Sequence, residues 1–225
     1  MDPEKRFKED YLMILQQESD RIHAEFDFSE GSTFRLVWDE ATTKTSSEAA
    51  TSQEWLQAFR IVYSDFREFV IASEHPPDFS YHSTRKIDLV VKKRRLEKIA
   101  TPPQAILRMV LRIFLYAEVK NANADDLDTR EAESQGWSAA EEAEVSDLNW
   151  VFTGYGGRGI FSIHKAGEPL LVPMYPLEVH NKNDYADLMN HREQFARMFA
   201  HTVLLPWPTE EELIMIKNDF KDYFG

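Results

Sequence analysis

Thr101-Pro102-Pro103-Gln104-Ala105-Ile106-Leu107-Arg108-Met109-Val110-Leu111-Arg112-Ile113-Phe114-Leu115-Tyr116-Ala117-Glu118-Val119 contains the longest apolar run of the chain, and its reading as helix or strand decides the architecture. Thr101 and Gln104 have capping-box spacing, in which a hydroxyl and an amide side chain satisfy each other's free backbone N–H groups at a helix start. Pro102 suits a first helical position. Ile106, Leu107, Met109, Val110, Leu111, Ile113, Phe114 and Leu115 then surround nearly the whole axis. The run predicts a central, buried helix over about 102–119. Arg108, Arg112 and Glu118 interrupt it, so it falls short of the roughly 20 apolar residues that cross a bilayer.

Working outward, the same capping pattern marks Thr51–Glu54, Ser138–Glu141 and Thr209–Glu212. After Thr51, the residues Trp55, Phe59, Val62, Phe66 and Phe69 recur at helical spacing, and His75-Pro76-Pro77 would stop that helix. Tyr11, Leu15, Ile22 and Phe26 predict an N-terminal helix. Leu188, Phe195, Phe199 and Thr202 predict one over 184–204, and Leu213, Ile216 and Phe220 a C-terminal one. Segment 86–100 also reads as helix, against the β-branched pair Val90-Val91.

Asn149 to Thr153 and Ile160 to His164 read as a hairpin around a glycine cluster, with Pro169 to Met174 as a third strand and Phe34 to Trp38 as a fourth. Polar stretches near 39–50 and 121–137 read as mobile loops. The expected fold is α+β and predominantly helical: six or seven helices around the 102–119 helix, with a small antiparallel sheet from about 149–174, in one globular domain over 1–225.

With 225 residues, 43% hydrophobic, the chain can bury roughly 70–75% of its unfolded surface as one unit. The absence of Cys excludes disulfides, thiolate metal sites and a thiol nucleophile. The charged start Met1-Asp2-Pro3-Glu4-Lys5-Arg6 is unlike a secretory leader, so a soluble cytoplasmic protein is expected.

Gly154-Tyr155-Gly156-Gly157-Arg158-Gly159 satisfies G-x-G-x-x-G, but a dinucleotide site requires a helix next, and Ile160 to His164 reads as a strand. The glycines therefore predict a hairpin turn. No H-E-x-x-H or G-x-S-x-G occurs. Asp184, Asp187 and His191 fall on one side of the 184–204 segment and are candidate metal ligands. His191, His201 and Arg197 are the candidates for proton transfer near neutral pH.

Charge is segregated. The chain carries 26 Lys and Arg against 39 Asp and Glu, net −13, yet nine of the cations fall between Arg85 and Arg112. Lys92, Lys93, Arg94, Arg95 and Lys98 form a candidate anion-binding stretch, expected to be helical. It either answers the acidic 118–147 segment or faces an external anion. The leading expectation is a non-enzymatic binding or regulatory domain with a protein partner or self-association and no cofactor. The alternative is an enzyme that processes nucleic acid or a phosphate ligand, using the 85–98 stretch for binding and a histidine of the 184–204 helix for proton transfer.

Overall fold

The computed structural model describes residues 3–43, 47–65, 67–75, 87–101, 104–142 and 148–224. Among them are six α-helices: α1 (Pro3–Glu25), α2 (Thr33–Thr42), α3 (Glu48–Val62), α4 (Asp126–Glu142), α5 (Arg192–Leu204) and α6 (Glu210–Phe224). The strands are β1 (Phe69–His75), β2 (Ile87–Thr101), β3 (Gln104–Lys120), β4 (Leu148–Tyr155), β5 (Arg158–Lys165), β6 (Val172–Tyr175) and β7 (Ala186–Asp187).

The run that opens the sequence reading is strand β3, not a central helix. It lies inside a seven-stranded mixed sheet of order β1-β2-β3-β4-β5-β6, with β7 beside β5, so the small antiparallel sheet is corrected as well. An apolar run without periodicity suits a strand covered on both faces as well as a buried helix. Long-range pairing decides between them. Thr101 pairs with Gln104, so the capping-box residues flank a chain reversal, and segment 86–100 becomes β2 alongside β3.

Strand β3 pairs in parallel with β4, which requires a crossover, and α4 supplies it. The expected loop near 121–137 is therefore largely helix. Its buried face consists of Thr129, Ala132, Gly136, Ala139 and Ala140, residues too small to register as an apolar stripe. Small residues let α4 approach closely: a Cβ at Gly136 would stand 2.7 Å from Cγ1 of Val151.

The expected strand at 34–38 is part of α2. Ser32 caps it by accepting from the Arg35 N–H at 3.1 Å, and Phe34, Trp38 and Ala41 share its buried side. Of the expected 39–50 loop, residues 39–42 belong to α2 and 48–50 to α3. Helix α3 starts at Ser47, which accepts from the Ala50 N–H, rather than at Thr51, and it ends at Val62. Phe69 therefore lies on β1. Phe66 and the prolines 76–77 fall outside the described residues. The 184–204 helix begins only at Arg192, after a 3-10 turn and β7. The N- and C-terminal helices and the 149–174 strands stand where expected, and of the four capping boxes Thr209–Glu212 closes in both directions.

The main core lies between one sheet face and α1, α2, α3, α5 and α6, and includes Trp55, Phe59, Phe114, Phe152, Phe161, Phe195 and Phe199. A smaller one beneath α4 joins Val90, Ile113, Tyr116 and Val151 to Ala139 and Ala140. Phe59, fully buried, packs edge-to-face on Phe152 and Phe199. Phe59→Ala should lower unfolding free energy by about 3–5 kcal/mol, measured by urea denaturation; a loss below about 1 kcal/mol would show that the surrounding rings close the cavity.

Candidate functional site

Strand β2 runs away from the end of the sheet at which β3 arrives, and this brings Asp88, near the start of β2, beside Glu118, near the end of β3. Both lie one residue beyond the Leu89–Ala117 pair. The Asp88 Oδ2 accepts a hydrogen bond from the Val119 N–H at 2.9 Å. The Glu118 carboxyl, 3% exposed, is hydrogen-bonded to Asp88. Burial, reinforced by the Asp88 charge, pushes Glu118 up to about 9 against the partial relief given by Lys120. At neutral pH the pair therefore retains a proton.

Lys120 lies two residues along β3, on the same strand face as Glu118. Its Nζ is 3.7 Å from the Glu48 Oε1 at the first turn of α3. Strand β3 stops there for local reasons. The Asn121 side chain accepts from the Asn123 N–H, and the Asp125 carboxylate accepts from the Leu127 and Asp128 N–H groups, opening α4. The Lys120 carbonyl accepts from the Gly156 N–H at 3.1 Å, so the glycine turn between β4 and β5 abuts this end of the sheet.

That turn is the predicted hairpin, with Gly156 at φ +46°. A Cβ at Gly157 would stand 2.4 Å from the Trp38 ring, and one at Gly159 2.4 Å from Phe152. The indole N–H of Trp55 donates to the Gly156 carbonyl at 3.0 Å. The glycines thus form a seat for two tryptophans rather than a phosphate cradle. Helix α3 also buries Thr51 and Glu54, whose side-chain oxygens have no hydrogen-bond partner among the described residues. Burial, with Asp187 adding to it, raises Glu54 well above the carboxylate range.

The sequence candidates are distributed differently. Arg197 and His201 do meet, on Asp219 of α6. Arg197 donates from Nε and Nη2 to its two carboxylate oxygens, each at 2.6 Å, and His201 Nε2 is 3.0 Å from Oδ2. Tyr11 is 2.7 Å from the His201 Nδ1, and Gln16 accepts from Arg197. This network is sealed: His201 is fully buried and Arg197 4% exposed. It joins α1, α5 and α6.

His191 stands apart, exposed at the start of α5. Asp184 closes the 3-10 turn, accepting from the His180 and Asn181 N–H groups, and Asp187 accepts from the Asn190 N–H. Among the described residues no three His, Asp or Glu side chains converge as a ligand set.

Lys92, Lys93, Arg94, Arg95 and Lys98 lie on strand β2, not on a helix. Lys93 donates to the Val203 carbonyl, faces Glu68 at 3.7 Å and sits over the Phe69 ring. Arg95 lies 5.0 Å over the Trp207 ring. Arg112, across the ribbon on β3, makes two hydrogen bonds to Glu97 at 2.7 and 2.6 Å.

Asp88, Glu118, Lys120 and Glu48 are absent from the sequence-level candidates. Their signal is a charge at the start of one apolar strand and an acid–x–base triplet closing the other. Both become visible only once 86–119 is read as strands. No protein-family model matches this chain, and no curated protein or solved structure matches it. No helix among the described residues is long and apolar enough to cross a membrane.

The network around Asp219 sets a pH dependence. Burial lowers the His201 pKa, whereas Asp219, despite burial, is held at about 2 by hydrogen bonds from Arg197 and His201. An unfolded histidine takes up a proton near pH 6.5 and the buried one resists it, so stability is full above that value and falls as pH drops below it. The Asp219 contribution persists until the unfolded carboxylate protonates below about pH 4. Measured against His201→Gln, which lacks this contribution, the wild type should therefore lose unfolding free energy as pH falls from 7.5 to 5.5; a difference between the two that does not change with pH assigns the dependence to other groups.

Proposed function

We propose that the protein is a divalent-cation-dependent enzyme that hydrolyses phosphodiester bonds in nucleic acid, with Asp88 and Glu118 as cation ligands and Lys120 beside them. One observation carries this reading: two carboxyl groups pressed together at the end of an otherwise apolar strand pair, with a lysine two residues on. Without a cation the pair costs stability, because one of the two acids must stay protonated. A magnesium or manganese ion held there would relieve that cost. Hard cations of this kind are held by one or two carboxylates and complete their shell with water and substrate oxygens.

Asp88 and Glu118 would hold the cation, which would supply polarisation of a phosphoryl oxygen and a more acidic water. In the hydrolysis a water oxygen bonds to phosphorus as one P–O ester bond breaks; the water gives up a proton to solvent and the leaving oxygen takes one from it. Lys120, positioned by Glu48, places positive charge where the phosphoryl group gains negative charge. Asp88, held by the Val119 N–H, keeps its orientation before any ligand arrives. This reading keeps the phosphate chemistry expected from the sequence and moves it from the histidines to the carboxylates.

The non-enzymatic binding reading retains one supporting feature, the exposed Leu96, Met109 and Leu111 on β2 and β3, which would serve a partner without chemistry. One experiment separates the two. The protein should cleave DNA or RNA oligonucleotides with Mg²⁺ or Mn²⁺ and not with EDTA, and Asp88→Asn and Glu118→Gln should each reduce the rate at least 100-fold while circular dichroism stays native. Cleavage that survives in both folded variants would overturn the assignment.

The site also predicts proton release. Cation binding ionises Glu118, whose native value near 9 stands above the unfolded one, so binding should tighten as pH rises from 6.5 to 8.5 and release up to one proton. For the same reason the metal-free protein should lose stability as pH rises above about 4.5, and Glu118→Gln should remove that loss. Titration calorimetry in buffers of different ionisation enthalpy reads the proton count; a count of zero excludes Glu118 as a ligand.

A further inference from the structure

The pairing of β2 with β3 continues well past the rest of the sheet. Strand β1 accompanies β2 only as far as Lys93, with one more backbone bond from the Arg94 N–H to the Glu68 carbonyl. Strand β4 joins β3 only from Leu115 onward. From Arg95–Val110 to Thr101–Gln104, seven cross-strand pairs have no third strand beside them among the described residues. At about 3.3 Å per residue this makes an arm roughly 23 Å long.

Residues 92–112 hold seven of the chain's 26 Lys and Arg and a single acid, Glu97, in a protein of net charge −13. The cations occupy both faces, because paired residues of antiparallel strands share a face. Arg94, at the base of the arm beside Glu68, shares one with Leu96, Met109 and Leu111. Arg95, Arg108 and Arg112 share the other with Glu97. Arg95 and Arg112 are engaged by Trp207 and Glu97, whereas Arg94 and Arg108 are exposed.

We infer that this arm is the substrate-docking element of the enzyme and that it enters the major groove of a nucleic-acid duplex. The inference rests on the phosphodiesterase reading, since it takes the ligand of the arm to be the polymer cut at Asp88 and Glu118. The major groove of B-form DNA is about 12 Å wide and admits a two-stranded ribbon. A ribbon with cations on both faces meets phosphates on both walls of a groove, where a flat single-strand platform would gather them on one. Leu96 and Met109, paired across the strands and each 57% exposed, are apolar groups of the kind that touch thymine methyls there. Arg94 lies six residues along β2 from Asp88, about 20 Å of strand. A ligand that meets both must be a polymer. Elsewhere the acidic surface repels it, so the arm also sets how the duplex approaches.

The test uses the full chain carrying Glu118→Gln, or the wild-type protein in EDTA should that variant not fold. The probes are a 24-base-pair DNA duplex and its separated strands. Fluorescence anisotropy across a salt series should show the duplex bound at least 10-fold more tightly than either strand. Arg94→Ala with Arg108→Ala should reduce the slope of log affinity against log salt by about 2. Lys217→Ala with Lys221→Ala on α6 should leave it unchanged. Made in the otherwise wild-type chain, the two arm substitutions should leave Mg²⁺ binding unchanged. Duplex affinity that is unaltered in the folded arm variant would overturn the inference, as would preference for the single strand, or loss of self-association by that variant with no loss of duplex binding. The two readings fail separately: arm-dependent duplex binding without cation-dependent cleavage refutes the phosphodiesterase reading alone, and cleavage with an arm-independent salt slope refutes the arm alone.

Discussion

The hydrogen bond from the Trp55 indole to the Gly156 carbonyl joins the helical layer to the sheet at the point where the candidate site is built. It is possible only because three glycines clear the space. A Cβ on Gly154 would stand 2.9 Å from the Trp55 Nε1, and side chains at Gly157 and Gly159 would meet the rings of Trp38 and Phe152. Rings cannot shift by the tenths of an ångström that a flexible side chain can, so this part of the packing has little latitude. With Trp55 seated, the first turn of α3 is fixed in position and Glu48 faces Lys120. The Gly156 N–H, bonded to the Lys120 carbonyl, ties the turn to the last residue of β3.

Around that joint the polar interior is divided by role. Arg197, His201 and Asp219 form a fully bonded network that holds three helices together. Asp88 and Glu118 are an underpaired group, two acids sharing a proton. Such a pair is costly in a structural role and useful in a cation site, because ligand binding recovers what folding gave up. Thr51 and Glu54 add polar atoms without a partner among the described residues on α3, the helix that also carries Glu48.

The basic residues illustrate how secondary structure changes the meaning of a charge run. On a helix, residues 92 to 98 would spread around the axis and half would face the protein. On a strand they divide between the two faces of the ribbon, some in the sheet and some on the arm that continues it. Lys93 and Arg95 are held by Phe69, Val203 and Trp207, while Arg94 between them and Arg108 farther out remain exposed.

Local periodicity by itself determined the terminal helices, the glycine hairpin and the strands around it, because each is specified by contacts close in sequence: Tyr11 to Phe26, Leu213 to Phe220, and β4 and β5 either side of Gly156-Gly157. Composition alone excluded thiol chemistry and disulfides. Tertiary structure decided the centre of the fold. Ile106 to Val119 is apolar on every side, which suits a buried helix and a strand covered on both faces equally, and only pairing with residues 89–101 and 150–155 separates them. Helix α4 was hidden for the opposite reason, since Ala132, Gly136, Ala139 and Ala140 pack closely yet carry almost no hydrophobic signal. The site followed the same division. Asp88 and Glu118 stand 30 positions apart in sequence, and the antiparallel register of β2 and β3 alone places one carboxyl against the other.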